Sequence, residues 1–312
     1  MIKIYFFFWV CFFLLCNNIS AQDVHFSMPY SSLMNINPAF AGSAGCSRVV
    51  GGYRNQWPSL FANYQTSFLS YDQYVNILKG GLGISYCSDN VSEGTIKVNS
   101  ISGIYAAHIP VFKNRFILCP AFEATYVQKN FSWAFLNFGN MTNPKYGFLY
   151  NTTSMRNEYA DFSASVLCYN KYFYAGFSAF HLAQPSEGNN GMLPVKYVEH
   201  FGINIGNPDV SKSFSVSPSI LYISQQYFRM LQVNCAAKYD KYLVGIGYRN
   251  ADAILLSVGF KSRAFRVGYT YDIYDINSTR IVMGVAHEFA FSFIFSCKHH
   301  PKNFLSFSSA AF

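Results

Sequence analysis

The chain has 312 residues, of which 51% are hydrophobic, 19% aromatic and only 12% charged, with a formal net charge of +8. Soluble domains carry about 25% charged residues, so this composition excludes disorder: there is too much to bury and too little charge to keep the chain solvated. Nucleic-acid binding is also disfavoured, because the basic residues are sparse and form no long run.

Residues 1–21 read as a secretory signal peptide. Lys3 supplies the positive start, Ile4 to Leu15 the apolar stretch, and Ala21 a small residue before a mature start near Gln22. A retained anchor would need a longer apolar run. A lipoprotein reading at Cys16 fails on Leu15, where a small residue is wanted. No later stretch reaches the ~18 consecutive apolar residues of a membrane-spanning helix, which excludes a helical membrane protein. The cysteines that follow, Cys46, Cys87, Cys119, Cys168, Cys235 and Cys297, contain no C-x-x-C pair, so neither zinc nor thioredoxin-like chemistry is indicated. Export permits disulfides. Wide spacing within apolar runs instead favours small buried or membrane-facing hydrophobes.

Residues 22–45 show no alternation and contain Pro29, Asn37-Pro38 and Gly42, so they are expected to be ordered but irregular, a plug or a periplasmic contact. Alternation begins after them. Strands are expected near 46–55, 64–72, 79–88, 94–108, 115–128, 158–168, 172–182, 198–207, 213–224, 228–239, 242–249, 253–261, 265–274 and 280–296. In 265–273, Phe265, Val267, Tyr269, Tyr271 and Ile273 share one face, and Arg266, Gly268, Thr270 and Asp272 the other. A soluble sandwich would carry Lys, Glu and Thr on its polar face. Here that face holds Gly, Ser, Ala and isolated charges, opposite an aromatic-rich face. This is the pattern of a transmembrane antiparallel β-barrel of about 14 strands, occupying residues 46–296, with a periplasmic tail at 297–312. Alternate connections are short and hold turn formers or basic residues, as at Asn170-Lys171, Asp240-Lys241 and Ser262-Arg263. Pro120 and Pro218 sit awkwardly inside strands and predict a bulge or a shifted register.

Several side chains are candidates for function. The inward set includes Arg54, Glu123, Asp161, Lys238, Arg249, Arg266, Asp272 and Glu288; such charges either set the selectivity of a channel or fill a blocked lumen in mutual pairs. Lys113, Arg115, Lys171, Lys212, Lys241, Lys261 and Arg263 form a basic periplasmic rim, as a docking surface or as ordinary turn chemistry. Trp57 is expected in an interfacial aromatic girdle. No nucleophile–base–orienter set supports a hydrolase, and no metal or cofactor is expected. His287 and Glu288 are adjacent on a strand and point to opposite faces.

Particular strings then carry a resemblance. They are Gln22-Asp23-Val24-His25-Phe26-Ser27; Leu33-Met34-Asn35-Ile36-Asn37-Pro38-Ala39-Phe40-Ala41-Gly42; Tyr53-Arg54-Asn55-Gln56-Trp57-Pro58; Ser70-Tyr71-Asp72; Gly80-Gly81-Leu82-Gly83; His181-Leu182-Ala183-Gln184-Pro185; Tyr248-Arg249-Asn250; Tyr269-Thr270-Tyr271-Asp272; and His287-Glu288. In this order they resemble the PorP/SprF family of the type IX secretion system of Bacteroidetes, across essentially the whole mature chain. Val24, Met28 and Thr270 depart from the commoner Pro, Gln and Ser. The resemblance implies a non-enzymatic outer-membrane barrel that works with periplasmic ring and lipoprotein components of the secretion machine. It also implies support for export or surface attachment of a partner adhesin, often in gliding motility. Asn37, Pro38, Arg54, Gln56, Trp57, His181, Gln184 and Pro185 become candidates for partner contact or for shaping the loops. The competing expectation is a passive or hydrophobic-substrate outer-membrane channel.

Overall fold

The computed structural model describes residues 23, 25–28, 32–60, 63–132, 155–187, 191–206, 214–250, 253–262, 264–274 and 284–295. The expected leader (1–21) and tail (297–312) lie outside these. Sixteen extended segments follow one another: β1 (Arg48–Gln56), β2 (Tyr64–Val75), β3 (Gly80–Val91), β4 (Ile96–Ala107), β5 (Ile109–Val111), β6 (Phe116–Phe131), β7 (Met155–Tyr169), β8 (Phe173–Phe180), β9 (Lys196–Ile203), β10 (Ile205–Gly206), β11 (Phe214–Gln225), β12 (Phe228–Tyr239), β13 (Tyr242–Arg249), β14 (Ala253–Lys261), β15 (Phe265–Tyr274) and β16 (Val285–Ile294). All pair antiparallel in one sheet. β1 pairs with β16 and β9 with β11, so the sheet closes on itself.

Two of these segments are fragments produced by proline. β4 and β5 run along β6 in a single register, with Ala106 opposite Ala121 and Ile109 opposite Leu118. β9 and β10 run along β11 in a single register, with Gly202 opposite Ser219 and Ile205 opposite Val216. The ladders skip at Pro120 and Pro218, which have no N–H to donate. His108 and Asn204 stand in the gaps. Their own N–H groups point to the other side, donating to the carbonyls of Lys79 (3.0 Å) and Tyr172 (2.7 Å) and so continuing the registers of β4 on β3 and of β9 on β8. The expected bulge or register error is therefore absent: a missing donor interrupts the ladder without shifting it. Counting each broken strand once, the barrel has fourteen strands.

The bounds of β13, β14 and β15 coincide with the expected strands. β6 and β7 are longer than expected, whereas β16 is shorter. The two faces of the wall are chemically unlike. Outside, Ile84, Ile246 and Phe289 are 50%, 59% and 58% exposed; inside, Arg54 and Glu288 are 2% and 0% exposed. Phe289, Phe291 and Phe293 make one outward row on β16, and Tyr269 packs on Phe289 with ring centroids 4.7 Å apart. Among the described residues no helix is long and apolar enough to cross a membrane. The crossing is made by strands, which have no unpaired edge to expose to lipid.

At the end where β1 begins, the turns are short. Asn170 closes one of them: its Oδ1 accepts from the N–H groups of Tyr172 (2.8 Å) and Phe173 (2.7 Å). The opposite end carries longer connections, including 181–195. Cys46 lies outside the strands at the short-turn rim and is disulfide-bonded, which corrects the expectation of a free hydrophobe there. Cys87, Cys119, Cys168 and Cys235 are free.

The segment before β1 occupies the lumen. A single helical turn, Leu33–Ile36, leads into a 3-10 turn, Pro38–Phe40. Asn37 caps the second turn, its Oδ1 accepting from the Ala39 N–H (2.8 Å), with Pro38 at the first position, where a missing N–H costs nothing. Gly42 then reverses the chain with φ of +73°. Its backbone lies directly on Gly81 of β3, where a Cβ would stand 2.0 Å from the Ala41 carbonyl oxygen. Gly81→Ala is expected to cost about 1–3 kcal/mol or more by overpacking. Gly103→Ala, with nothing within 4 Å of the new Cβ, should be close to neutral. Urea unfolding in detergent, followed by heat-modifiable gel mobility, checks the pair.

Candidate functional site in the barrel lumen

Alternation sends one residue in two into the lumen. Arg54 on β1 stands directly across from Glu288 on β16. Asp272 on β15 and Arg249 on β13 project from the same side of their strands, and all four are buried. Arg54 donates to Glu288 Oε2 (3.1 Å) and, through Nη2, to Asp272 Oδ2 (2.8 Å) and the Tyr274 hydroxyl (3.0 Å). Arg249 Nη2 reaches the same Asp272 oxygen (3.3 Å) and the same hydroxyl (3.2 Å). Two guanidinium groups thus face two carboxylates, and the charges balance within the cluster.

At its centre is Ser27 of the N-terminal segment. Its N–H donates to Glu288 Oε2 (2.7 Å), and the next N–H, of Met28, to Glu288 Oε1 (3.1 Å). The Ser27 carbonyl accepts from Gln232 Nε2 (2.9 Å). The Ser27 hydroxyl donates to Asp272 and accepts from Arg54 and from Arg249 Nη1. Each polar group of this one residue is gripped by the wall.

Nearer the short-turn end a second clamp holds the segment. Arg48 and Asp72 form a two-pronged pair (2.8 and 3.0 Å). The Gly42 N–H donates to Asp72 (2.8 Å), and Arg48 donates to the Phe40 carbonyl (3.3 Å). Asn37 Nδ2 donates to the Val166 carbonyl (3.1 Å) and lies 2.9 Å from His200 Nε2. Around these contacts Phe40 and Ala39 are fully buried against Leu167, Tyr169 and Tyr174.

A third set sits at the long-loop mouth. His181 follows β8 with φ of +60°, which aims its ring at Asp161 on β7. Nδ1 lies 2.6 Å from Asp161, and Nε2 2.7 Å from Asp23; Lys196 Nζ is 3.0 Å from the same Asp23 oxygen. Burial opposes charge on both partners. It is outweighed at Asp23 by Lys196 and His181, which hold its carboxyl below the usual range, and at His181 by the two carboxylates, which lift the imidazole to about 9.

The remaining candidates fall elsewhere. Trp57 does not join a girdle. It turns inward over the mouth between Tyr64 and Tyr274, because an apolar cluster of Ala253, Leu255, Tyr274 and Ala286 offers it a dry seat. Gln56 ends β1 opposite Tyr64 and Ala286. Gln184 is exposed, and its N–H closes a turn on the His181 carbonyl (3.0 Å). The Pro185 carbonyl accepts from the Leu193 N–H (3.0 Å), so this stretch shapes the loop. Glu123, Lys238 and Arg266 face the lumen, opposite Ser163, Ser215 and Ser292 respectively. Of the rim, Lys113, Arg115 and Lys241 are exposed, Lys171 and Lys261 are partly covered, and Lys212 and Arg263 lie outside the described residues. Arg48, Asp72, Asp23, Ser27, Gln232 and Tyr274 were not singled out from sequence. Strand parity would have placed Arg48 and Asp72 inward, whereas Asp23 and Ser27 stood in a family string that assigned them no contact. Among the described residues no group of His, Cys, Asp or Glu side chains forms a metal site.

A closed antiparallel sheet with an apolar exterior and a charged, occupied interior defines an outer-membrane β-barrel protein. The model of the family described as type IX secretion system membrane protein PorP/SprF matches residues 18–293, and the chain belongs to that family. Among curated proteins none matches. Similar solved structures include the Acinetobacter baumannii outer membrane protein Omp33, at 8% identity over 80% of this chain and 98% of that one, TM-score 0.47. The Pseudomonas putida toluene transporter TodX is another, at 8% identity over 88% and 95%, TM-score 0.46.

Arg54→Ala leaves Asp272 and Glu288 without a principal partner and is expected to destabilise the barrel by about 3–5 kcal/mol. Equilibrium unfolding in detergent would register it. The His181 contribution runs the other way in pH from that of a buried carboxylate. An imidazole raised to about 9 adds stability that is full below its unfolded value of about 6.5 and is lost as pH rises through 9. NMR titration of His181 should show a midpoint near 9 that falls in Asp161→Asn; a midpoint below 7 in the parent would contradict the mouth contacts.

Proposed function

We propose that this protein is a non-enzymatic outer-membrane component of type IX secretion that supports export or surface attachment of a partner adhesin, in gliding-type machinery. Family membership supplies the secretion role. In this reading residues 1–21 are a cleaved leader and residues 22–45 a resident plug. The short-turn end, with the tail 297–312, faces the periplasm, because short turns inside and long loops outside is the usual outer-membrane arrangement. The exposed bases Lys113, Arg115 and Lys241 then meet ring and lipoprotein components, and the mouth around His181 and Gln184-Pro185 meets the exported partner.

The observation that carries this over a passive channel is the occupied lumen. Ser27, Asn37 and Phe40 are buried inside the barrel, and their segment is held at two clamps by buried charges. A passively open pore needs an unobstructed path, which this segment occupies.

Planar-bilayer recording tests it. The full chain should show no steady open current, and a variant lacking residues 22–45 should conduct. A large steady current from the full chain would instead favour a channel. In cells, deletion of the gene should block export or surface display of a partner adhesin, and the protein should co-purify with secretion-ring components. Normal export in the deletion strain would overturn the secretion role.

A further inference from the structure

The two halves of the lumen segment are held by different physics. Residues 34–42 are anchored chiefly by apolar side chains, Phe40 and Ala39 against Leu167, Tyr169 and Tyr174, and Ile36 against Val198 and Leu221, with the Arg48–Asp72 pair also holding the Phe40 carbonyl and the Gly42 N–H. Removing them would open apolar cavities. Residues 23–28 are held differently. Phe26 meets Phe68 edge-on and Met28 is buried, but the polar grip falls on backbone and on one hydroxyl. The wall reads two successive N–H groups through both oxygens of Glu288, a carbonyl through Gln232, and a hydroxyl through Asp272, Arg54 and Arg249. Backbone groups are common to every peptide, so this grip does not require this chain's own sequence beyond the hydroxyl.

Two further features make the upper site exchangeable. The four charged residues balance among themselves, so Arg54 and Arg249 keep Asp272 and Glu288 as partners when the peptide leaves. The hydrogen-bonded ladder of the wall also closes without any contribution from the segment. What fastens the top of the segment is the exposed-end contact of Asp23 with His181 and Lys196.

We propose that the Arg54–Arg249–Asp272–Glu288 cluster is a binding site for an extended peptide bearing Ser or Thr, filled at rest by Ser27-Met28. A segment of an exported polypeptide entering from the long-loop mouth takes it when residues 23–28 swing out. The lower half stays in place as the seal. The identity of this ligand rests on the secretion role proposed above; the site itself does not.

The test uses the full chain in detergent micelles, with a fluorescent synthetic peptide of the sequence of residues 24–30 as probe and anisotropy as readout. Asp23→Ala removes the mouth contact and should bind the probe at least ten-fold more tightly than the parent protein. The same probe carrying Ser27→Ala should bind at least ten-fold more weakly. Ala41→Cys with Gly83→Cys locks the lower half, since the Ala41 Cβ lies 3.4 Å from a Cβ built on Gly83, close to the span of a disulfide. Added to Asp23→Ala and oxidised, this lock should leave probe binding unchanged. Three results would each overturn the proposal. One is absence of binding to an Asp23→Ala protein that retains heat-modifiable mobility. Another is equal binding of the two probes. The last is binding abolished by the oxidised lock, which would mean that the whole segment must leave. None of these results touches export in a deletion strain, which tests the secretion role separately.

Discussion

Lipid offers a backbone no hydrogen bonds, and the rest of this structure follows from that constraint. A sheet that crosses hydrocarbon must pair its last strand with its first. Here β1 meets β16 along its whole length, from Arg48 opposite Ile294 to Gln56 opposite Ala286. Closure then divides side chains into two populations by parity alone. The outward population is Ile, Val, Leu, Tyr and Phe, and the inward one is Ser, Gly, Thr and the charges. Even the two prolines obey the constraint. Each costs the ladder one donor on one side, while the rungs to the strand on the other side continue in register.

Closure also creates a difficulty inside. Charged groups on the inner face are shielded from bulk water by the wall, so each must find a partner within the lumen. Arg54, Arg249, Asp272 and Glu288 solve this collectively, from three adjacent stretches of wall and one strand further round. The arrangement leaves several hydrogen-bonding positions pointing at the axis, and Ser27 fills them. The N-terminal segment is thus part of the electrostatic solution of the lumen as well as its filling. The same device recurs at the other end, where Arg48 and Asp72 satisfy each other and also hold the Gly42 amide.

For a member of a secretion-system family, a lumen so filled shifts attention from conduction to recognition. The groups around Ser27 and Met28 grip the backbone of this segment. At the mouth, His181 joins Asp161 of β7 to Asp23 of the N-terminal segment.

Much of the wall was legible in the sequence because parity is a local property. Phe265 through Ile273 declares both its faces without reference to any other strand, and the ends of β13, β14 and β15 are marked by turn residues beside them. The recurring short strings were enough to point to the family. The lumen was legible only as a set of charges. That Arg54 on β1 meets Asp272 and Arg249 depends on strands more than 190 residues away in sequence being brought round by closure. That Trp57 turns inward depends on a seat assembled from β14, β15 and β16. Residues 22–45 offered a plug and a periplasmic contact alike, with nothing local to choose between them. Local sequence determined an alternating, aromatic-walled cylinder with polar residues inside. Only the tertiary structure decided what fills it, because Ser27 acquires its partners from strands that become neighbours when the sheet closes.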